Sequence, residues 1–456
     1  MKRLLLLTAL TLPSLVFAQG VLTPPPGAPA PTMKSLDQIE PRTPVGQVGG
    51  SFDLIAISEP GSYVLLGNVT VTAGDAIAIT AGNVTLDLNG FRLSSSEKTP
   101  TGAAISIGGG IDNVTVRNGH IRSSSRLDMD LATPQFVTGA GFKSGIAADI
   151  GTKSINVESV EVSGVIAGIK VSRAKLSIVR NCTVTNCESG IGADWVTDCN
   201  VDYCAGAAIQ SYTAANCRAV TYGTDSSDEA ISTQVATNCY GRSTGGRGLY
   251  AGICATNCFG SSTESNGIRA VNALACTGVS QSNIGLYANS AENSLGSSTT
   301  GYGLYATTAS NCIGDSGSST GLFASNATNC TGASGSGTGL FADNATNCRG
   351  TSSTGTGLNT NRDENSYTGT ATACTGISES GHGLIAAIAT NCTGRTTNKS
   401  MVGVWVSGTA TGCRGTNTGE TGTGAQTAIA CDIAVACTRT NNDGVITANS
   451  KQLGTP

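Results

Sequence analysis

Residues 321–338 read GLFASNATNCTGASGSGT, and residues 339–356 read GLFADNATNCRGTSSTGT. The two segments are adjacent, equally long, and differ mainly in their Ser, Gly and Thr runs. A period of 18 residues is too short for a helical hairpin, because the common helical repeats take more than about 30 residues. It suits one turn of a solenoid built from short strands and tight corners.

The same pattern runs through the C-terminal half of the chain, starting wherever Gly or Ala precedes an aliphatic residue. The starts are Gly168, Gly190, Ala208, Ala230, Gly248, Gly267, Gly285, Gly303, Gly321, Gly339, Gly357, Gly383 and Gly403. The aliphatic residue and a small residue two places later flank a position where charged, polar and aromatic residues all occur. Alternate residues of a strand point to opposite faces, so the aliphatic and small residues are predicted to point inward. We therefore predict an all-β fold, a single parallel β-helix of about 16 turns.

Composition agrees with thin turns and excludes several classes of protein. The chain has 456 residues, 61 of them Gly, and only 12% are charged, against about 25% in average domains. This mixture excludes a coiled coil and a membrane helix bundle, and the net charge of −4 excludes a basic nucleic-acid binder.

The N-terminus has the pattern of an export signal. Lys2 and Arg3 precede an apolar run that ends near Ala18, and this run is too short to span a bilayer. We expect residues 1–18 to be a Sec-type signal peptide and 19–48 a Pro-rich linker. Residues 49–72 are expected to form an N-terminal cap, 73–437 the β-helix, and 438–456 a tail or cap. The protein is then secreted, extracellular or on the cell surface, without a transmembrane segment.

Three segments near the N-terminus carry a resemblance to a known family. They are residues 32–44 (TMKSLDQIEPRTP), 57–63 (ISEPGSY) and 83–91 (NVTLDLNGF). Together they resemble the start of secreted bacterial right-handed parallel β-helix proteins of the pectate-lyase-like superfamily. The resemblance implies a right-handed helix and export, but no activity, since fold alone does not define function.

Cysteines recur at one position of the repeat. They are Cys199, Cys217, Cys239, Cys258, Cys276, Cys312, Cys330, Cys348, Cys374, Cys392 and Cys413, with Ser294 in the same slot. Parallel neighbours one turn apart place their Cβ atoms about 4.8 Å apart, whereas a disulfide needs about 3.8 Å. We predict an inward ladder of mostly free thiols. Bridges remain open for four pairs outside or beside it: Cys182–Cys187, Cys199–Cys204, Cys254–Cys258 and Cys431–Cys437.

The outward position of the repeat holds a run of aromatic residues. Its members are Tyr250, Tyr287, Tyr305, Phe323, Phe341 and Trp405, with Arg269 among them. An exposed apolar stripe is typical of a binding surface, and aromatic faces suit sugar rings. The alternatives are that a loop covers the stripe, or that the rings only stabilise the sheet by stacking across strands.

Residues suited to catalysis are scarce. His382 occupies a variable corner position, and His120 has no evident acid or base partner in the sequence. Two acidic loops, 225–229 and 361–365, leave Ca²⁺ as the one cofactor to consider. The largest insertion, from Arg122 to Lys143, is the remaining place for a site.

We therefore expect no catalytic residues and no bound metal. The favoured interpretation is an exported, non-catalytic binding or structural module with a polysaccharide or cell-envelope partner. A carbohydrate-active enzyme of pectate-lyase type is the first alternative. An ice-binding solenoid is the second alternative. It is disfavoured because such a protein needs a flat Thr-x-Thr face, whereas the Thr residues of this chain are expected to cluster in variable corners.

Overall fold

The computed structural model describes residues 42–46, 51–52, 54–131, 133–361, 368–419, 426–439 and 444–453. The predicted signal peptide and most of the predicted linker lie outside these residues. The described chain winds into a parallel β-solenoid of about 20 turns with a period of about 19 residues. The predicted fold class, an all-β parallel β-helix, is confirmed, and no described residue lies in an α-helix.

Three columns of parallel strands form the walls of the solenoid, and several long strands run through two columns. Sheet 1 contains Ile55–Ile57, Ile77–Ile79, Ala103–Ile107, Ser144–Ala148, Ala167–Lys170, Ser189–Gly192, Ile209–Gln210, Leu358–Asn359, Leu384–Ala386 and Val404–Val406. Strands shared by sheets 1 and 2 are Ile231–Thr237, Leu249–Thr256, Ile268–Leu274, Leu286–Glu292, Leu304–Ser310, Leu322–Thr328, Leu340–Thr346, Gln426–Val435 and Gly444–Leu453.

Sheet 2 follows sheet 1 in each turn. Its own strands are Thr43–Val45, Gly61–Leu65, Val84–Asp87, Ile178–Arg180, Trp195–Thr197, Thr213–Ala215, Thr370–Thr372, Ile388–Thr390 and Thr409–Thr411. Two strands pass from sheet 2 into sheet 3, namely Asp112–Arg122 and Lys153–Ser163.

Sheet 3 closes each turn. It contains Ser51–Phe52, Val69–Val71, Arg92–Ser95, Thr183–Cys187, Asn200–Cys204, Arg218–Thr221, Tyr240–Ser243, Phe259–Ser262, Thr277–Ser280, Leu295–Ser298, Ile313–Ser316, Thr331–Ser334, Arg349–Ser352, Thr375–Ser378, Thr393–Thr396, Arg414–Asn417 and Thr438–Arg439. Outside the three sheets, Arg126–Asp128 and Gln135–Val137 pair antiparallel as a hairpin within the 122–143 insertion.

The core of an 18-residue turn is narrow. In the turn that starts at Gly321, the buried side chains are those of Leu322, Ala324, Ala327, Cys330 and Ser334. Phe323 and Asn326 point outward between them, so the predicted alternation holds. This turn thus buries one large aliphatic side chain, and the rest of its core consists of small ones.

An Asn residue turns the chain between sheets 2 and 3. Asn311, Asn329 and Asn347 have φ angles of 53°, 54° and 52°, a left-handed conformation that Asn tolerates better than most residues. The side chains also bond along the solenoid, since Asn329 Nδ2 donates to Asn311 Oδ1 at 3.2 Å. The residue before the Cys, Asn in these three turns, therefore builds a corner.

A buried Ser holds the corner after sheet 3. Ser352 Oγ donates to the carbonyl oxygen of Gly337 at 2.6 Å and accepts the amide N–H of Gly355 at 2.9 Å. Ser316 makes the equivalent bonds, to Gly301 O at 2.7 Å and from Ser319 N at 2.8 Å. Each hydroxyl thus satisfies two backbone groups that the tight corner would leave unpaired.

Two files of Gly allow sheets 1 and 3 to approach closely. A Cβ on Gly332 would lie 2.2 Å from the carbonyl oxygen of Gly339, and a Cβ on Gly339 would lie 2.3 Å from that of Thr351. No side chain fits there, which explains much of the Gly content of the chain.

Candidate functional site

The predicted aromatic stripe is a stack of rings on the outside of sheet 1. Tyr287 and Tyr305 stack with centroids 5.2 Å apart and planes inclined by 2°. Tyr305 to Phe323 and Phe323 to Phe341 both measure 4.8 Å with 5° between planes. Each ring face therefore lies against its neighbour, and the stack presents mainly ring edges and Tyr hydroxyls to the outside.

The six predicted residues do not form one continuous stripe. Arg269 separates Tyr250 from the stack, and its guanidinium lies 5.2 Å from the Tyr287 ring centroid. Trp405 belongs to the same column three turns beyond Phe341 and lies 6.1 Å from the His382 ring. The contiguous aromatic column is therefore Tyr287, Tyr305, Phe323 and Phe341, with Tyr302 edge-on against Tyr305 and Phe323.

A second aromatic group lies on the outside of sheet 3 and was not predicted from the sequence. Tyr240 stacks on Phe259 at 5.0 Å, and the Arg218 guanidinium lies 5.7 Å from the Tyr240 ring. The pair follows Cys239 and Cys258 directly in the sequence, so aligning the residue after each ladder Cys would have found it.

A threonine column runs along the outside of sheet 2. The members Thr328, Thr346, Thr372, Thr390 and Thr411 are aligned in five consecutive turns. A second outward column two residues earlier holds Asn326, Asn344, Thr370, Ile388 and Thr409. We call the two columns together the threonine face; neither carries a charged residue in these turns. The expectation that Thr residues cluster only in variable corners is therefore wrong.

The predicted Cys ladder lies in the core, where all eleven members are buried. Cys276 Sγ lies 3.3 Å from the carbonyl oxygens of both Ala255 and Leu274. Ser294 uses its hydroxyl in the same way, donating to Glu292 O at 2.8 Å and accepting from Cys276 N at 3.1 Å. The slot therefore requires a small donor that also accepts a hydrogen bond, which a thiol or hydroxyl supplies.

All 17 cysteines are free thiols in the structure, including the four pairs considered for bridges. Cys187 lies opposite Cys204 in the next turn, and Cys182 and Cys437 extend the ladder at its two ends, beside Cys199 and Cys413. Hydrogen bonds with neighbouring thiols, and then burial, raise the pKa of Cys199, Cys258, Cys348 and Cys392. Adjacent thiolates in an apolar core would repel each other, which favours protonated thiols.

The acidic loop 225–229 is occupied by its own contacts. Asp228 Oδ2 accepts the Asp225 amide at 3.0 Å, and burial raises the pKa of Asp228. Glu229 pairs with Arg247 at 3.0 Å. Within the described residues, no three His, Cys, Asp or Glu side chains are placed to hold a metal ion together. Most of the second acidic loop, residues 362–365, lies outside the described residues.

The two histidines differ in their surroundings. His382 accepts the Val402 amide at 3.0 Å through Nδ1, and burial lowers its pKa, so it serves as a neutral corner residue. His120 has an acid partner after all, because its Nδ1 lies 3.0 Å from Glu161 Oε2. Glu161 also pairs with Arg122 at 2.9 Å. The expectation that His120 lacks a partner is wrong; the partner lies one turn away across a long insertion.

No protein-family model matches this chain, and no curated protein matches it. Within the described residues, no helix is long and apolar enough to cross a membrane.

Proposed function

We propose that the protein is exported and acts outside the cytoplasm as a non-catalytic module that binds an ordered surface. The threonine face is its binding surface, and ice is the ligand that this face suits best. The charged N-terminus followed by a short apolar run supports export, and the resemblance to secreted β-helix proteins supports it further.

The aligned threonine column carries this proposal. Its side chains repeat every turn at about 4.8 Å, and its companion column lies about 6.6 Å away along each strand. In the threonine column, hydroxyl and methyl groups held at backbone spacing form a regular array that can order a layer of water. The array is uncharged and its backbone is held by the parallel sheet, so little ordering entropy is lost on contact with a solid surface.

Ice binding is tested by a face-specific pair of double variants. Thermal hysteresis and incorporation into a growing ice hemisphere would be measured for the full chain, Thr372→Lys/Thr390→Lys, and the control Thr375→Lys/Thr393→Lys. The control changes the same residue type in the same two turns, but on sheet 3.

We expect activity in the full chain and the control, and its loss in the sheet 2 variant. Absence of hysteresis and ice incorporation in the full chain would overturn the proposal. Equal loss in both double variants would do so too, because the effect would not then belong to the threonine face.

A polysaccharide ligand at the aromatic column is the second candidate. The column spans three turn spacings, about 14 Å, and Tyr287, Tyr305 and Phe323 are half-buried. Because the ring faces are already stacked on one another, a sugar chain would contact ring edges and the two Tyr hydroxyls. This geometry favours a modest contact along the solenoid over the face-on stacking expected from the sequence.

Retention on insoluble polysaccharides tests this candidate with a matched control. Tyr305→Ala/Phe323→Ala removes a stacked pair from the column, whereas Tyr240→Ala/Phe259→Ala removes one from sheet 3. Selective loss of retention in the first variant is expected. Retention unchanged in both variants, or absent in the full chain, would exclude the candidate.

A further inference from the structure

The outward side chains of sheet 3 in the N-terminal turns include a cluster of two Arg residues and one His. Arg92 and His120 are directly opposite each other in adjacent strands, and Arg122 is two residues beyond His120 on the same strand and the same face. Two guanidinium groups and one imidazole are thus grouped on neighbouring turns of sheet 3.

A carboxylate compensates only one of the two guanidinium charges. Glu161 in the following turn accepts from both His120 and Arg122, at 3.0 Å and 2.9 Å. Arg92 forms no ion pair with any described carboxylate. The Glu161 carboxylate therefore holds Arg122 and His120 in position, while no described carboxylate balances the guanidinium of Arg92.

These side chains line one hollow with Asn68. The hollow has a volume of about 300 Å³ and is lined by Asn68, Arg92, His120 and Arg122. Asn68 Oδ1 accepts the backbone N–H of Arg92 at 2.9 Å, so the acceptor end of the amide is used and its NH₂ group remains as a donor. No carboxylate lines this hollow, and two guanidinium forks with an amide donor surround it.

We propose that this hollow binds an oxyanion, a carboxylate or sulfate group carried by an acidic polymer. A guanidinium presents paired N–H donors that match two oxygens of such a group. The hollow is open to solvent, which suits a group that projects from a long chain. This site goes beyond the proposed function, since it lies on another sheet and many turns from the threonine face.

The test compares two Arg residues of the same outward column. Arg349 occupies this position in a later turn, between Thr331 and Thr375, and is exposed like Arg92. Fluorescence anisotropy with labelled dextran sulfate, carboxymethyl dextran and neutral dextran would be recorded for the full chain, Arg92→Gln and Arg349→Gln. Thermal unfolding would confirm that both variants are folded.

We expect Arg92→Gln to weaken binding of an acidic dextran about tenfold, as for loss of a charged hydrogen bond, and Arg349→Gln to leave it unchanged. Whether the sulfated or the carboxylated polymer binds more tightly identifies the preferred anion. Equal weakening by both substitutions would overturn the proposal, because it would show general charge attraction. Lack of binding to either acidic polymer, or equal binding of neutral dextran, would overturn it as well.

Discussion

The N-terminal and C-terminal turns build the same solenoid from different cores. In the N-terminal turns, inward positions hold Ile77, Leu86 and Leu93, one on each sheet and all fully buried. In the turn starting at Gly321, the matching positions hold Leu322, Ala327 and Gly332. Apolar side chains fill the first core, whereas direct backbone approach and hydrogen-bonded corners close the second. A parallel β-helix can therefore be stabilised by burying large apolar side chains or by packing its backbone closely against itself.

The largest loss of stability is expected in the N-terminal turns, where large side chains fill the core. Leu86→Ala should lower the free energy of unfolding by about 2–5 kcal/mol, because it leaves a cavity among neighbouring aliphatic side chains. Chemical denaturation followed by circular dichroism measures this. A loss below that range would indicate that the N-terminal core collapses around the gap and is less tightly packed than its burial suggests.

The reverse substitution should damage the C-terminal turns. Gly332→Ala places a methyl group against the Gly339 carbonyl oxygen, and such overpacking costs about 1–3 kcal/mol. Gly108→Ala is the control, because a Cβ added there would lie no closer than 3.3 Å to a neighbouring atom and outside the sheet 1 to sheet 3 contact. A Gly332→Ala variant as stable as the full chain in thermal unfolding would contradict this close contact between the two sheets.

Removing the hydroxyl of a corner Ser should lower the stability somewhat less. Ser352→Ala leaves the Gly337 carbonyl and the Gly355 amide without their partner, a loss of about 1–2 kcal/mol. Ser353→Ala, at the exposed neighbouring position, should change stability little. Equal melting temperatures for the two variants would show that water replaces the hydroxyl at this corner.

The smallest loss of stability is expected when Ser replaces a Cys of the ladder. Cys348→Ser should cost less than about 1 kcal/mol, because a hydroxyl can make the same hydrogen bonds to the backbone, as Ser294 already does. Cys348→Val, which cannot donate or accept, should cost more. A destabilised Ser variant and a neutral Val variant would show that the slot selects for apolar character instead.

The core of the C-terminal half could be predicted from sequence because its period is nearly constant. Leu322, Ala324 and Cys330 each recur at fixed spacing, so one alternation rule places them all inward. The threonine column was missed because insertions before Thr372 and Thr411 break the spacing. Strand register across those insertions depends on backbone pairing. The Glu161 partner of His120 was missed for the same reason, since the two are 41 residues apart.

Counting thiols tests most directly whether the core of the 18-residue turns consists of small side chains with free, unbridged cysteines. Intact mass would be measured after iodoacetamide treatment without reductant, in the native and unfolded states. We expect 17 adducts on unfolding. In the native state we expect slow modification confined to Cys254, the one cysteine that is not buried. Fewer adducts after unfolding, or rapid native modification of the ladder, would contradict this expectation.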